Sequence, residues 1–243
     1  MRLLGKPRAA PLLVQARPNL THLSKVLAEM SKSKLFFDVA ASLDGFIAPE
    51  GMDLEHAADP EFKHWLSQWT KLQNWVFPQQ FFRKNLKLGD GGENGGDNRM
   101  LEETFNRTGA SIMGKRMFDG GERFWPEEAP FHTPVYVLTH QARKPWERPG
   151  GTTFYFVNDG IESALGHARE AAGSKDIRIA GGANVIQQYL SAGLIDEFTI
   201  HYSPVFFGHG AQLFSRTSKD VRVKIKEAFP SKEVTHVMFE VEK

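Results

Sequence analysis

Three hydrophobic patterns alternate along this chain, and each predicts a different kind of element. The first is the short apolar run of a strand buried on both faces. Leu35–Ala41 is apolar throughout except for Asp38, and Ser111–Met113, Pro134–Thr139, Thr153–Val157 and Asp176–Ala180 read as further short strands. The second pattern is the helical stripe. Asp59-Pro60-Glu61 offers an Asp N-cap, a proline at the first helical position and an acid in the first turn. The helix it opens runs to about Lys71, with Phe62, Trp65, Leu66 and Trp69 on one face. Met100–Thr108, Ile161–Ala172 and Ala183–Ala192 are further helices, the second capped by Asn158-Asp159-Gly160 and closed by Gly173. The third pattern is strict alternation. Residues 221–229 and 234–242 alternate apolar with polar positions, so they form two half-exposed antiparallel strands joined at Pro230-Ser231. A long apolar strand, Phe198–Phe207, precedes them.

Strand and helix alternate through the body of the chain, and the hairpin closes it. The predicted fold class is therefore α/β, a mixed and mostly parallel sheet flanked by helices with a C-terminal antiparallel hairpin. Two stretches fall outside this scheme. Residues 72–99 form an excursion between the first helix and the second strand, aromatic and proline-broken at WVFPQQFF, then glycine-rich and acidic at GDGGENGGD. Asp90, Glu93 and Asp97 would repel a phosphate there, so a surface loop or an active-site lid is expected. Residues 1–31 form an N-terminal extension, loosely ordered ahead of one domain spanning 32–243. Its basic residues, its prolines at 7, 11 and 18 and its lack of a long apolar run argue against a secretory signal, and Met30-Ser-Lys-Ser-Lys resembles a natural start.

Composition removes whole classes of chemistry. There are no cysteines, so disulfides, thiolate zinc sites and cysteine nucleophiles are excluded. A formal net charge of +1 gives no global field for nucleic acid, and no apolar run reaches the length of a membrane helix. A cytoplasmic protein acting on a small molecule is the expectation, with neither nucleic acid nor membrane as partner. The nine histidines lack a metal-binding spacing such as HExxH, so structural or surface roles come before metal ligation, and no metal is expected. The dinucleotide fingerprint GxGxxG, the Walker A motif and the GxSxG elbow are all absent.

The remaining chemistry gathers where strands end. In open α/β sheets, ligands collect outside the carboxyl ends of the parallel strands. Four such ends are Ala41 to Asp44-Gly45, Met113-Gly114-Lys115-Arg116, Leu138-Thr139-His140 and Ala180-Gly181-Gly182. Gly114 allows close approach, Lys115 and Arg116 bring positive charge, and Thr139 and His140 bring donors. Gly181-Gly182 opens a helix whose free N–H groups suit an anion, although a tight turn without a ligand explains the pair equally well when it is read alone.

Four segments resemble the dihydrofolate reductase superfamily, and most of all its branch related to the reductase domain of riboflavin biosynthesis. They are SLDGFIA (42–48), GASIMGKRMFDGG (109–121), PVYVLTH (134–140) and IRIAGGANVIQQYLSAGLIDEFTIHYSPVFFGHGAQLF (177–214). The resemblance runs from about Leu35 to Val241 and implies hydride transfer from NADPH. By position it implies that Ala41 and Ile47 flank the nicotinamide, and that Gly114, Lys115 and Arg116 meet the adenosine-side phosphates. It further implies that Leu138, Thr139 and His140 line the adenosine, that Gly181-Gly182 forms a peptide, cis in many members, facing the pyrophosphate, and that Ala183, Asn184 and Val185 offer helix amides to it. For the proton the candidates are Asp44, Asp59, Glu61 or a water held by one of them. The resemblance places a carboxylate near Asp59, and Asp44 and Asp59 each also have a structural explanation as turn former and N-cap. Riboflavin-pathway reductases typically carry an acid just before the glycine pair, where this chain has Ala180, so the substrate stays open between a pterin- or pyrimidine-like heterocycle and a carbonyl compound. A binding protein without turnover and a dihydrofolate reductase proper are the alternatives. Related domains pair as homodimers, and Phe198–Phe207 is the expected contributor.

Overall fold

A computed structural model describes residues 33–52, 56–215 and 220–243. The expected N-terminal extension lies outside the described residues. The strands are β1 (Leu35–Ser42), β2 (Phe46–Ala48), β3 (Thr108–Gly114), β4 (Pro134–Leu138), β5 (Trp146–Glu147), β6 (Thr153–Val157), β7 (Asp176–Gly181), β8 (Glu197–Ser203), β9 (Ala211–Gln212), β10 (Arg222–Pro230) and β11 (Thr235–Glu242). The helices are α1 (Phe62–Leu72), α2 (Gln80–Asn85), α3 (Gly96–Arg107), α4 (Lys115–Glu122), α5 (Ile161–Ala172) and α6 (Ala183–Ser191). Nine strands form one sheet in the order β10-β11-β8-β1-β7-β3-β4-β6-β5. The six from β8 to β6 are parallel, and β5, β11 and β10 add antiparallel edges. The α/β class with its mostly parallel sheet and terminal hairpin is as the sequence predicts.

β1 lies between two parallel partners, β7 and β8, which explains its nearly unbroken apolar run. Its odd-numbered residues Leu35 and Phe37 join Ile177 and Ile179 of β7 against α5 (Ala164, Leu165, Ala168) and α6 (Val185, Ile186, Tyr189, Leu190). The even-numbered residues face α1 to α3. There Ala40 packs with Leu72 and Phe207, Arg107 of α3 lies 4.1 Å over the Phe36 ring, and Phe105 lies 5.1 Å from the Arg178 guanidinium. A second aromatic core fills the far side of the sheet. Phe118 of α4 sits among Trp125, Trp146, Phe154 and Phe156.

The helix expected at Met100–Thr108 starts earlier, at Gly96, and gives way at Thr108 to β3, which is longer than the expected Ser111–Met113. Three further elements also differ from their sequence expectation. α1 begins at Phe62 rather than beside Asp59, because the Asp59 carboxylate accepts the Glu61 N–H at 2.8 Å and holds residues 59–61 in a turn. Its aromatic stripe is not a core face. Only Leu72 is buried, while Trp65 lies against the backbone of Gly51 and Trp69 against Phe77. β8 stops at Ser203, short of Phe207, since Pro204 has no N–H to give a ladder. The excursion at 72–99 is no bare loop, since it contains α2 and runs into α3, and Trp75 and Gln79 are buried within it.

The amino ends of β1, β7 and β8 are fastened by ions. Glu197 of β8 accepts from Lys34 at 2.6 Å, Arg107 at 2.7 Å and Lys226 at 3.3 Å, while Arg107 also binds Asp176 of β7 at 2.7 Å. Burial opposes the charge on Glu197, but Lys34 and Arg107 outweigh it and bring the carboxyl from its ordinary 4.5 down to about 2. A depressed carboxylate contributes stability above its unfolded value and loses it as pH falls toward the folded one. Glu197→Gln is therefore expected to cost about 2–3 kcal/mol at neutral pH, leaving three cations with a neutral partner. It should also flatten the wild-type loss of stability between about pH 4.5 and 2, which urea melts across that range would measure.

Candidate active site

Sheet order decides what stands together at the carboxyl edge. β1, β7, β3 and β4 are successive neighbours, so Ala41, Gly181, Gly114 and Leu138 come out in a row from strands far apart in sequence. Registry fixes the row, with Met113 opposite Gly181 and Gly114 opposite Leu138. Two helices start directly from it, α4 at Lys115 and α6 at Ala183, and neither has a side-chain cap. The first N–H groups of α6, from Ala183 and Asn184, therefore face the edge with positive dipole character. Val185 N–H already closes on Gly182 O at 3.1 Å.

The glycines of this row differ in what they permit. A Cβ at Gly114 would come within 2.9 Å of a Val185 methyl, so Gly114 lets α6 approach β3. At Gly182 a Cβ would meet nothing within 4 Å, which leaves open space before the start of α6. The Gly181-Gly182 peptide is cis and Gly181 has φ +133°. The open space and the uncapped amides suit the phosphates of a dinucleotide, and the added charge comes from α4. Lys115 is paired with Asp119, whereas Arg116 is exposed and has no ion-pair partner among the described residues. Arg143 is tied to Glu122 at 2.6 Å and lies over the Phe156 ring. Thr139 is buried at the end of β4 and His140 exposed beside it, while Ile47 of β2 packs onto the main core close to Ala41.

The two predicted carboxylates stand differently. Asp44 accepts Ser42 Oγ at 2.5 Å, Phe207 N–H at 3.1 Å and Gly208 N–H at 2.7 Å. Burial works toward protonation, but these donors outweigh it and keep the carboxyl below the usual carboxylate range. Asp44 thereby fastens the loop after β8 to the turn after β1. Asp59 is exposed at the start of α1 and is engaged with its own turn.

A group that the sequence reading did not assemble lies beneath the edge, on the α1–α3 face. Asp38 of β1 pairs with Arg178 of β7 at 2.6 and 3.2 Å. His201 of β8 presents Nε2 at 4.0 Å from Asp38, and its Nδ1 lies 2.7 Å from Nδ1 of His236 on β11. His236 Nε2 in turn lies 3.2 Å from Asp97 of α3. Trp75 covers both imidazoles at 4.4 and 5.1 Å. Burial favours a protonated Asp38, but the Arg178 guanidinium outweighs it and holds the carboxyl low, with His201 adding to the effect. Burial, helped by the neighbouring His201, pushes His236 down to about 4 against the pull of Asp97. The sequence signal was there. Asp38 and His201 are polar residues inside apolar strands, where a buried polar group needs a partner, but their partners come from distant segments.

Comparison with known proteins identifies the family and the fold. The family model for the RibD C-terminal domain matches residues 33–237. Among curated relatives, YyaP of Bacillus subtilis (strain 168) is 26% identical over 126 residues, 49% of this chain and 66% of that one. YwjB of the same organism is 32% identical over 71 residues, 29% of this chain and 40% of that one. Both are uncharacterised proteins, and the matches span two thirds of their length or less. Among solved structures, a Shewanella sp. PV-4 protein assigned to riboflavin biosynthesis aligns with a TM-score of 0.58 at 20% identity, covering 86% of this chain and 99% of its own. Enterococcus faecalis dihydrofolate reductase, solved with NADP(H), aligns at 0.51 and 13% identity, covering 87% and 98%. A bifunctional deaminase–reductase of Thermotoga maritima aligns at 0.53 and 16%, covering 91% of this chain and 59% of its own. At these identities the structural likenesses establish the dihydrofolate reductase-like fold. Together with the match over most of the sequence, they give the conclusion that this chain belongs to the RibD C-terminal domain family.

Proposed function

We propose that the protein is an NADPH-dependent reductase of a small heterocyclic substrate, pterin- or pyrimidine-like, or of a carbonyl compound. The observation that carries this reading is the row of four strand ends, with open space at Gly182 and the uncapped start of α6. Support also comes from the relatives, one solved with NADP(H) and another named as a uracil reductase fused to a deaminase. NADPH, when bound, would supply the hydride. The chain's own residues would bind and orient. The amides of Ala183 and Asn184 with Gly181-Gly182 would hold the pyrophosphate, Val185 N–H being taken by Gly182 O contrary to the sequence expectation, and Gly114 would let the adenosine half lie close to β3. Leu138, Thr139 and His140 would line the adenosine, and Ala41 and Ile47 the nicotinamide. Arg116 is the natural partner of a 2′-phosphate, because Lys115 already spends its charge on Asp119. Asp44 would position the loop over the site through the donors it binds, and Asp59 would stand at the outer rim.

Binding without turnover is the competing reading, favoured by the full engagement of Asp44. The same assay separates the two, as a pure binder takes up NADPH but oxidises none across a panel of pterins, pyrimidines and quinones.

NADPH at saturation is expected to raise the melting temperature. Arg116→Ala should weaken NADPH by about fivefold to tenfold, the worth of roughly 1–1.4 kcal/mol from one exposed charge-assisted contact, and leave NADH nearly unchanged. Equal loss for both cofactors would refute the 2′-phosphate assignment. Gly182→Ala should fold with a melting temperature close to wild type, since the new methyl meets no protein atom, yet lose most NADPH affinity in a fluorescence titration.

A further inference from the structure

A reduction of C=N or C=O adds a hydride to carbon and a proton to the heteroatom, and the proton needs a source. The edge carboxylates are poorly placed to give one, with Asp44 held as an acceptor and Asp59 exposed on its own turn. The buried group beneath the edge has the composition that the step requires. Asp38 and Arg178 sit on β1 and β7, three residues before Ala41 and Gly181 on the same two strands. On the α1–α3 face Asp38 lies two positions below Ala40, which packs with Leu72 and Phe207 beneath the edge.

Hydrogen-bond logic fixes the protons in the group. Asp97 can only accept when ionised, so His236 carries its hydrogen on Nε2. A neutral His236 then has a lone pair on Nδ1, and His201 must donate to it from its own Nδ1 across 2.7 Å. That leaves His201 Nε2 as the free nitrogen, buried, without a hydrogen-bond partner and turned toward Asp38 at 4.0 Å. The order is that of an orienting carboxylate, an orienting imidazole and a working imidazole. The charged or titratable groups facing the pair are Asp97 from α3, Asp38 from β1 and Arg178 from β7, while Trp75 and Phe229 close it with aromatic faces. Two carboxylates and one guanidinium leave one negative charge, which a single proton on the pair neutralises. A second proton would set two Nδ1–H groups against each other at 2.7 Å, and the low value of His236 agrees with that limit.

We propose that the His201–His236 pair is a one-proton store for the reduction, with His201 Nε2 as the site of that proton, Asp38 as its outlet toward the substrate, and His236 and Asp97 as positioning residues. This rests on the reductase reading above. As carbon takes its hydride, the proton on His201 Nε2 passes through the Asp38 carboxylate to the substrate nitrogen or oxygen. The N–H bond at Nε2 breaks and an N–H or O–H bond forms. The pair is left neutral and regains a proton from solvent. His201 is 2% exposed, so transfer runs through Asp38, whose side chain retains 8% exposure.

The test begins with the wild-type protein and needs no substrate. Long-range proton–nitrogen correlation spectra of the 15N-labelled protein, taken from pH 8 to pH 5, report each imidazole separately. The expected result is one proton taken up by the pair, at His201 Nε2, with His236 neutral and protonated on Nε2 throughout. Uptake first at His236, uptake by both rings together, or no uptake at either would overturn the proposal. Asp97→Asn, which keeps an acceptor and removes the charge, should move that uptake to lower pH by roughly half a unit to one unit. No movement would count against the positioning role. In turnover with whichever pterin, pyrimidine or quinone wild type reduces, His201→Gln should bind NADPH within about twofold of wild type. It should lose about tenfold or more in rate at the acid end of the same pH range, where the store is filled, and converge on wild type toward pH 8, so that the pH-dependent limb of the profile disappears. If NADPH binds and is oxidised but His201→Gln keeps the wild-type pH profile, the proton assignment falls and the reductase reading stands. If wild type binds no NADPH, the reductase reading falls by that result alone.

Discussion

The parallel pairing of β1 on both sides is the constraint from which the rest follows. A strand hydrogen-bonded to β7 and β8 has no edge to solvent, so every side chain it carries must be matched by something on one face or the other. On one face the match is hydrophobic and supplied by α5 and α6. The same parallel order sends the ends of β1, β7, β3 and β4 to one side of the molecule, and that is why one row there holds all the edge chemistry. The ion cluster on Glu197 does the corresponding work at the amino ends, holding the three central strands in register.

The other face of β1 is less simple. Burying an aspartate, an arginine and two histidines together costs far more than burying hydrocarbon unless each polar atom is paired. Most of them are. Arg178 satisfies Asp38, Asp97 satisfies His236, and His236 satisfies one nitrogen of His201. The exception among these four side chains is His201 Nε2, and Nε1 of Trp75, the ring that covers both imidazoles, is buried without a partner as well. A packing role alone would be met more cheaply by apolar residues of similar size.

Much of the fold was legible in the chain. Apolar runs located β1, β4, β6 and β7, alternation located the terminal hairpin, and Gly173 marked the end of α5. The misreadings have physical causes. The stripe of Phe62, Trp65, Leu66 and Trp69 has the period of a core face, but periodicity says only that a helix has an apolar side, not what covers it, and here loops rather than the sheet meet it. Asp59 has the identity of an N-cap, yet its carboxylate closes a turn one step earlier. At the site, the glycine pair, Lys115-Arg116 and Thr139-His140 were identifiable as candidates from their place after strands and from family resemblance.

By itself the sequence determined the periods, the breakers and the residue types at strand ends, because these depend on neighbours a few positions apart. From them came the α/β class, the family resemblance and the exclusion of cysteine chemistry. Only the tertiary structure decided which charges are free and which are spent, leaving Arg116 open while Lys115, Asp44 and Arg143 are engaged. It alone brought Asp38, Asp97, Arg178, His201 and His236 into one buried group. Those five come from β1, α3, β7, β8 and β11, and their meeting depends on strand order and registry, which long-range pairing sets and local pattern does not carry.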